Sequence, residues 1–145
     1  MLNNHVPSNQ KFIFGLNLGQ DNETFPQAEV DAAEKYLRDS GILSYELGNE
    51  PDFYGASQRP GAWNVQNYVV QIIDWIQQIQ SVTKTKRNWQ ISALTQLIVY
   101  QGNFSIPEII TLGVPQAIKA VTLYSDHNYP YSIFDRMYSC SILKS

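Results

Sequence analysis

Charge is scarce in this chain. Asp, Glu, Lys and Arg together make up 16% of its residues, against roughly a quarter in an average soluble domain. Asn, Gln, Ser and Thr must therefore carry much of the polar surface. The net charge is −3 at pH 7. The one basic run, Lys84-Thr85-Lys86-Arg87, reads as the solvated end of a helix and not as a nucleic-acid footprint. Cysteine is almost absent: a single Cys140 excludes an internal disulfide and any metal cluster built on thiolates. Two histidines, His5 and His127, argue against a His-based zinc site. No apolar run is long enough to span a membrane, and Met1-Leu2-Asn3-Asn4-His5 has no apolar signal core. Neither a G-x-G-x-x-G nor a Walker motif is present, which removes the usual phosphate-binding loops.

What is present suffices for one folded domain. Of the 145 residues, 43% are apolar and 12% aromatic, enough to fill a core. Residues 11–18, Lys-Phe-Ile-Phe-Gly-Leu-Asn-Leu, form an apolar run that reads as a buried strand. A helix is expected from Pro26, with Val30, Ala33 and Leu37 as its apolar stripe and Gly41 as its stop. A second strand is expected over 43–50. Asn64 then caps the clearest helix, on which Val65, Tyr68, Val69, Ile72, Ile76 and Ile79 recur at three- and four-residue spacings, a core-packing stripe. A third strand is expected over 89–97. Ser105-Ile106-Pro107-Glu108 matches a capping box that opens a short helix ending near Gly113. A fourth strand, 120–125, leads into Asp126-His127-Asn128-Tyr129-Pro130.

Strict alternation of strand and helix implies an α/β fold with a parallel sheet covered by helices. An open doubly wound sheet and a segment of a (β/α)8 barrel both satisfy it, and the missing phosphate loops favour the barrel. A complete barrel needs about 250 residues, so this chain corresponds to roughly half of one. Half a barrel leaves two unpaired sheet edges and an uncovered interior, which favours self-association.

The chemistry concentrates in Ser44-Tyr45-Glu46-Leu47-Gly48-Asn49-Glu50-Pro51-Asp52. An apolar strand ends there in Asn-Glu-Pro, and Pro51, having no N–H for a ladder, ends the strand at about Glu50. A polar turn made by Asn49 and Asp52 accounts for the same residues. The functional alternative is a carboxylic acid held at the C-terminal tip of a strand, the place where α/β folds carry their sites. The dozen residues that follow, to Trp63, lack periodicity and exceed the usual strand-to-helix loop. Phe53, Tyr54 and Trp63 offer flat apolar faces, for which ordinary packing is favoured over contact with a ligand ring. Strand alternation points Glu46 to the same side as Glu50, one layer deeper, hydrogen-bonded and structural.

Three segments, Phe14-Gly15-Leu16-Asn17, Ser44 to Pro51, and His127-Asn128-Tyr129, resemble in order and spacing the heparanase and fungal β-glucuronidase family, glycoside hydrolase family 79. The resemblance covers about residues 11–131, and the central motif is its specific part. It implies strands three to six of a (β/α)8 barrel, preceded by a disordered extension over 1–10 and followed by a divergent tail over 132–145. It implies that Glu50 is the general acid/base and that Asn49 bonds the sugar 2-hydroxyl. Asn17, His127 and Tyr129 would line the subsite floor. It implies a carbohydrate substrate, no cofactor and no metal, and a secreted protein. The sequons Asn22-Glu23-Thr24 and Asn103-Phe104-Ser105 are a weak sign of the same kind, which would mean that the natural start is missing.

A retaining glycosidase needs two carboxyl groups about 5–5.5 Å apart, one donating a proton and one attacking the anomeric carbon. The family nucleophile lies on a seventh strand, which the resemblance does not reach. Asp126 would lie two strands from Glu50, where no motif places a nucleophile. The expectation is a glycosidase fragment, inactive as it stands. The alternatives are a non-catalytic carbohydrate-binding pseudoenzyme and an unrelated open α/β domain, whose strand order would close no half barrel.

Overall fold

The computed structural model describes residues 10–37, 41–55, 58–59, 61–94, 104–113, 118–123 and 139–140. Strand β1 (Phe12–Leu16) is followed by helix α1 (Thr24–Tyr36), strand β2 (Ile42–Leu47) and a single 3-10 turn (Pro51–Phe53). Helix α2 (Val65–Thr83), β3 (Asn88–Leu94), α3 (Ile106–Thr111), β4 (Ile118–Leu123) and β5 (Ser139–Cys140) complete the order. The expected extension falls largely outside the described residues, as do 124–138 and 141–145 of the last strand end and the tail.

The sheet runs β1-β2-β3-β4-β5. Its first four strands are parallel, with Leu16 opposite Leu47, Glu46 opposite Gln90 and Ile91 opposite Val121. Each strand is added beside the last, so crossovers of one hand leave the helices on one face. Residues of α1, α2 and α3 do share a single core: Val30, Ala33, Tyr68, Ile72, Ile76, Ile79 and Ile109 pack with Leu16, Tyr45, Leu47, Trp89 and Ile91. A doubly wound sheet, in contrast, reverses its order and places helices on both sides. The arrangement is mixed α/β and compatible with part of a barrel.

Helix α2 forms where its stripe requires. Asn64 accepts a hydrogen bond from the Asn67 N–H, and Val65, Tyr68, Val69, Ile72, Trp75, Ile76 and Ile79 are buried. Each such side chain contributes about 1.5–3 kcal/mol on leaving water. Lys84 ends the helix in the left-handed region at φ 60°. No helix among the described residues is long and apolar enough to cross a membrane. The short helix α3 opens as its capping box predicts, with Ser105 accepting from the Glu108 N–H at 3.2 Å.

Helix α1 ends at Tyr36, with Leu37 already extended at its C-cap, short of the expected stop at Gly41. Two further expectations need correction. Strand β2 ends at Leu47, three residues before Glu50, because Gly48 turns the chain at φ 96° and Glu50 is left-handed at φ 49°. Period-two alternation therefore does not carry from Glu46 to Glu50. Glu46 itself is hydrogen-bonded as expected: Gln90 Nε2 donates to it, while Gln90 Oε1 accepts from Ser44 Oγ at 3.1 Å. The second correction concerns the sheet edges. The β4 edge is not open, since Val121 and Thr122 pair antiparallel with Cys140 and Ser139. No sequence signal marked that strand.

The pole of the sheet at the strand N-termini is tied by Glu34 of α1. Its carboxylate accepts from Thr85 Oγ1 at 2.7 Å, Tyr45 Oη at 3.1 Å, and Arg87 Nη2 and Nε at 3.2 and 3.3 Å. Burial alone would raise this carboxyl, but the bonds from Arg87, Thr85 and Tyr45 outweigh it and hold it below its ordinary value.

Candidate functional site

At the opposite pole the parallel strands bring their C-terminal ends together. Beyond β1, the Asn17 N–H donates to Glu29 Oε2 of α1 at 2.7 Å, and Asn17 Oδ1 accepts the Gln20 N–H at 3.1 Å. Its carbonyl oxygen thus builds the turn that reverses the chain, an Asx-type use of the side chain.

The Gly48-Asn49-Glu50 tip lies beside it, and three consecutive amides anchor it to three different places. Gly48 N–H bonds the Leu16 carbonyl at 2.9 Å, and Glu50 N–H bonds the Ala93 carbonyl at 3.1 Å. Between them, Asn49 N–H bonds Tyr54 Oη at 3.4 Å. Below the tip, Tyr68 Oη donates to Ser92 Oγ at 3.1 Å, and Ser92 Oγ in turn donates to the Leu47 carbonyl. A left-handed non-glycine residue such as Glu50 costs about 1–3 kcal/mol and persists only where its surroundings over-determine it. These anchors do so.

Gly48 is needed for space as well as for φ. A Cβ there would stand 2.9 Å from Leu18 Cδ2 and 3.1 Å from Tyr54 Oη. After Glu50, Phe53 N–H returns to the Glu50 carbonyl at 2.9 Å. Trp63 Nε1 donates to the Pro51 carbonyl at 2.6 Å. The described residues at the two ends of the long loop are therefore tied together, forming a strap.

Asn49 is exposed and Glu50 half-buried. Among the described residues, no Lys or Arg pairs with the Glu50 carboxylate. Phe53, three residues and one 3-10 turn beyond, is 55% exposed. Tyr54 and Trp63 take the packing role. Their rings stack with centroids 6.0 Å apart, and Trp63 meets Phe104 at 6.1 Å and Tyr68 at 6.4 Å. Among the described residues, two cavities lie away from the tip. One of about 840 Å³ runs along the outer face of α2 past Asp21, Arg59 and Trp63, and one of about 370 Å³ lies at the Glu34 pole. Glu50 lines neither.

The structure thus places Asn17 beside Asn49 and Glu50, on adjacent strand ends. His127, Tyr129 and Asp126 lie outside the described residues.

Sequence reasoning missed Arg59, the hub of this pole. It is 4% exposed. It donates from Nη2 to the Leu18 carbonyl at 2.6 Å and from Nη1 to the Gly19 and Gln58 carbonyls at 3.3 and 2.7 Å. Its Nε and Nη2 both reach Gln71 Oε1, at 3.2 and 3.0 Å, and Asp21 Oδ1 lies 3.7 Å from Nε. Burial pulls the guanidinium value down, while Asp21 and Tyr54 oppose the shift. The available signal was a lone charge in an aromatic strap: Arg59 is the one ionised side chain between Phe53 and Trp63.

Such a tip can hold one carboxylic acid and one amide side by side at the mouth of a parallel sheet, with no paired cation among the described residues. No family profile and no solved structure matches the chain. A β-glucuronidase of Aspergillus niger is similar to it, 33% identical over 81 aligned positions that cover 51% of this chain. The match spans 14% of that protein's length. What the comparisons carry is a relationship, over about half of this chain, to a glycosidase-like protein.

Proposed function

We propose that the chain is a piece of a retaining glycoside hydrolase of the heparanase and fungal β-glucuronidase kind, a partial (β/α)8 barrel acting on β-glucuronides or related β-linked sugars. The observation that carries this reading is the Asn49-Glu50 tip. It presents a carboxylic acid at the C-terminal mouth of the second of four parallel strands and is held there by its neighbours on both sides.

In this reading Glu50 donates a proton to the leaving oxygen and later takes one from water. Asn49 grips the 2-hydroxyl, and its bond strengthens as oxocarbenium character develops. Asn17 lies at the same mouth, its side-chain oxygen already used by its turn, so its amide NH2 is the group offered to a sugar. His127 and Tyr129 complete the subsite floor. Phe53, exposed beside Glu50, supplies the flat apolar face. The second carboxylate that retention requires is assigned to none of the described residues. The similarity to a fungal β-glucuronidase supports the substrate class, and a secreted location belongs to the same proposal.

A non-catalytic carbohydrate-binding role is favoured by one observation. β5 runs antiparallel on the β4 edge, where a continuing barrel would add a parallel strand.

Titrating the 15N-labelled chain with p-nitrophenyl β-D-glucuronide tests both readings. Resonance changes at Asn17, Asn49, Glu50 and Phe53, joined by His127 and Tyr129, are expected, with no release of nitrophenol, because an acid/base lacking its partner carboxylate loses nearly all turnover. Nitrophenol release that disappears in Glu50→Gln would keep the acid/base and place a nucleophile within the chain. Silence at all of these residues at millimolar probe would end the glycosidase reading.

A further inference from the structure

We propose that Tyr54, seated by Arg59, is the positioning residue of the Asn49-Glu50 pair. The proposal rests on the acid/base reading of Glu50, but neither its geometry nor its test requires a sugar.

Tyr54 Oη is the only described acceptor for the Asn49 N–H, at 3.4 Å. The hydroxyl fits beneath the tip because residue 48 has no side chain: its oxygen lies 3.1 Å from where a Gly48 Cβ would stand. The amide between the two sheet-anchored N–H groups of Gly48 and Glu50 therefore depends on this one phenol.

The ring is fixed in turn. Trp63 stacks on it, with planes 25° apart. The Arg59 guanidinium lies 5.1 Å from the Tyr54 centroid and 4.9 Å from that of Trp63. Attraction between a cation and two ring faces is strongest when water is excluded, and Arg59 is buried. Arg59 could itself be a ligand for a uronate carboxylate, but the geometry excludes it. Its Nε, Nη1 and Nη2 are already bound to Gln71 and to the Leu18, Gly19 and Gln58 carbonyls. What Arg59 does is join the strap after β2 to the turn after β1. Asn17 and Glu50 are thereby set by one side chain.

Burial raises the Tyr54 phenol above its ordinary value, the Asn49 and Arg59 contacts partly offset this, and the Glu50 charge adds to the rise. The hydroxyl stays protonated at neutral pH. Its hydrogen has no acceptor among the described residues and is available to a group arriving at the tip.

Tyr54→Phe keeps the stacked ring and deletes only the oxygen. Thermal unfolding of the full chain should change little, while the Asn49 amide resonance shifts and its hydrogen exchange accelerates about fivefold, the loss of one ordinary hydrogen bond. Glu50→Gln, in a chain carrying 13Cζ-tyrosine, should lower the Tyr54 titration midpoint, whereas Asp74→Asn leaves it in place. Arg59→Lys keeps the charge but loses the planar fork, and should move the Asn49 amide in the same direction as Tyr54→Phe. If Arg59→Lys does not fold, the other variants still decide the matter. An Asn49 amide indifferent to Tyr54→Phe, or a Tyr54 midpoint indifferent to Glu50→Gln, overturns the proposal. A chain showing both signatures yet silent to the glucuronide keeps the positioning role and loses the glycosidase reading.

Discussion

At the scale of single residues, the site depends on what Gly48 lacks. Its φ of 96° and the 2.9 Å approach of Leu18 Cδ2 to a would-be Cβ are separate penalties. Backbone strain of this kind costs about 1–3 kcal/mol. Gly48→Ala is therefore expected to lower the urea midpoint clearly, whereas Gly15→Ala, with nothing within 4 Å of its Cβ position, leaves it nearly unchanged. Equal effects would mean that the tip is not tightly packed. The requirement at Gly48 was not legible in the sequence. Its crowding comes from Leu18 and from Tyr54, and the Asn-Glu-Pro string shows only that the strand must end nearby. The carboxylate and amide themselves were legible, because their chemistry is written in residue type.

At the scale of elements, the local signals were read well and the distant ones were not. The α2 stripe and the Asn64 cap, like the Ser105 box, involve partners three or four residues apart, and the structure has each in place. Asn64→Ala is expected to cost about 1 kcal/mol, a lost cap. Ile79→Ala, at a site with 0% exposure, is expected to cost about 2–5 kcal/mol. Urea unfolding of the two variants checks the ranking, and the reverse order would show that the stripe does not form the core. Arg59 illustrates the other case. Its bonds to Leu18 and Gly19 span 41 and 40 residues, a separation over which no periodicity or motif carries information. The strap thus read as aperiodic, although its described residues Tyr54, Arg59 and Trp63 are joined by one guanidinium and two rings. The end of β2 was misplaced for a related reason: left-handed turns at Gly48 and Glu50 stop the ladder before the proline does.

For the whole molecule, α1 connects two poles with different work. Toward its start, Glu29 holds the Asn17 amide at the candidate site; near its end, Glu34 joins α1 to Thr85 and Arg87 below β3. The second pole is a stability device, and its pH dependence has a definite sign. Glu34 titrates below its ordinary value of 4.5, so the folded state holds the ionised form more tightly than the unfolded chain does. Its contribution is complete above the unfolded value and is lost as pH falls through the lower folded value. Glu34→Gln removes the charge while keeping the shape. At pH 7 it is expected to cost about 1 kcal/mol, below the ~1.5–3 kcal/mol of buried charge-assisted hydrogen bonds, because Glu34 and Arg87 remain 29% and 19% exposed and water screens them. The difference between wild type and variant should shrink steadily below pH 4.5 and vanish in strong acid. Urea unfolding at several pH values between neutrality and pH 2 measures it. A gap that stayed constant over that range would mean that the carboxylate charge is not what binds α1 to Arg87. Because the Glu34 pole lies at the strand N-termini, the same variant should leave the Asn49 amide resonance where it is. Loss of stability without movement of the tip is the signature of a sheet whose two ends are built for different purposes.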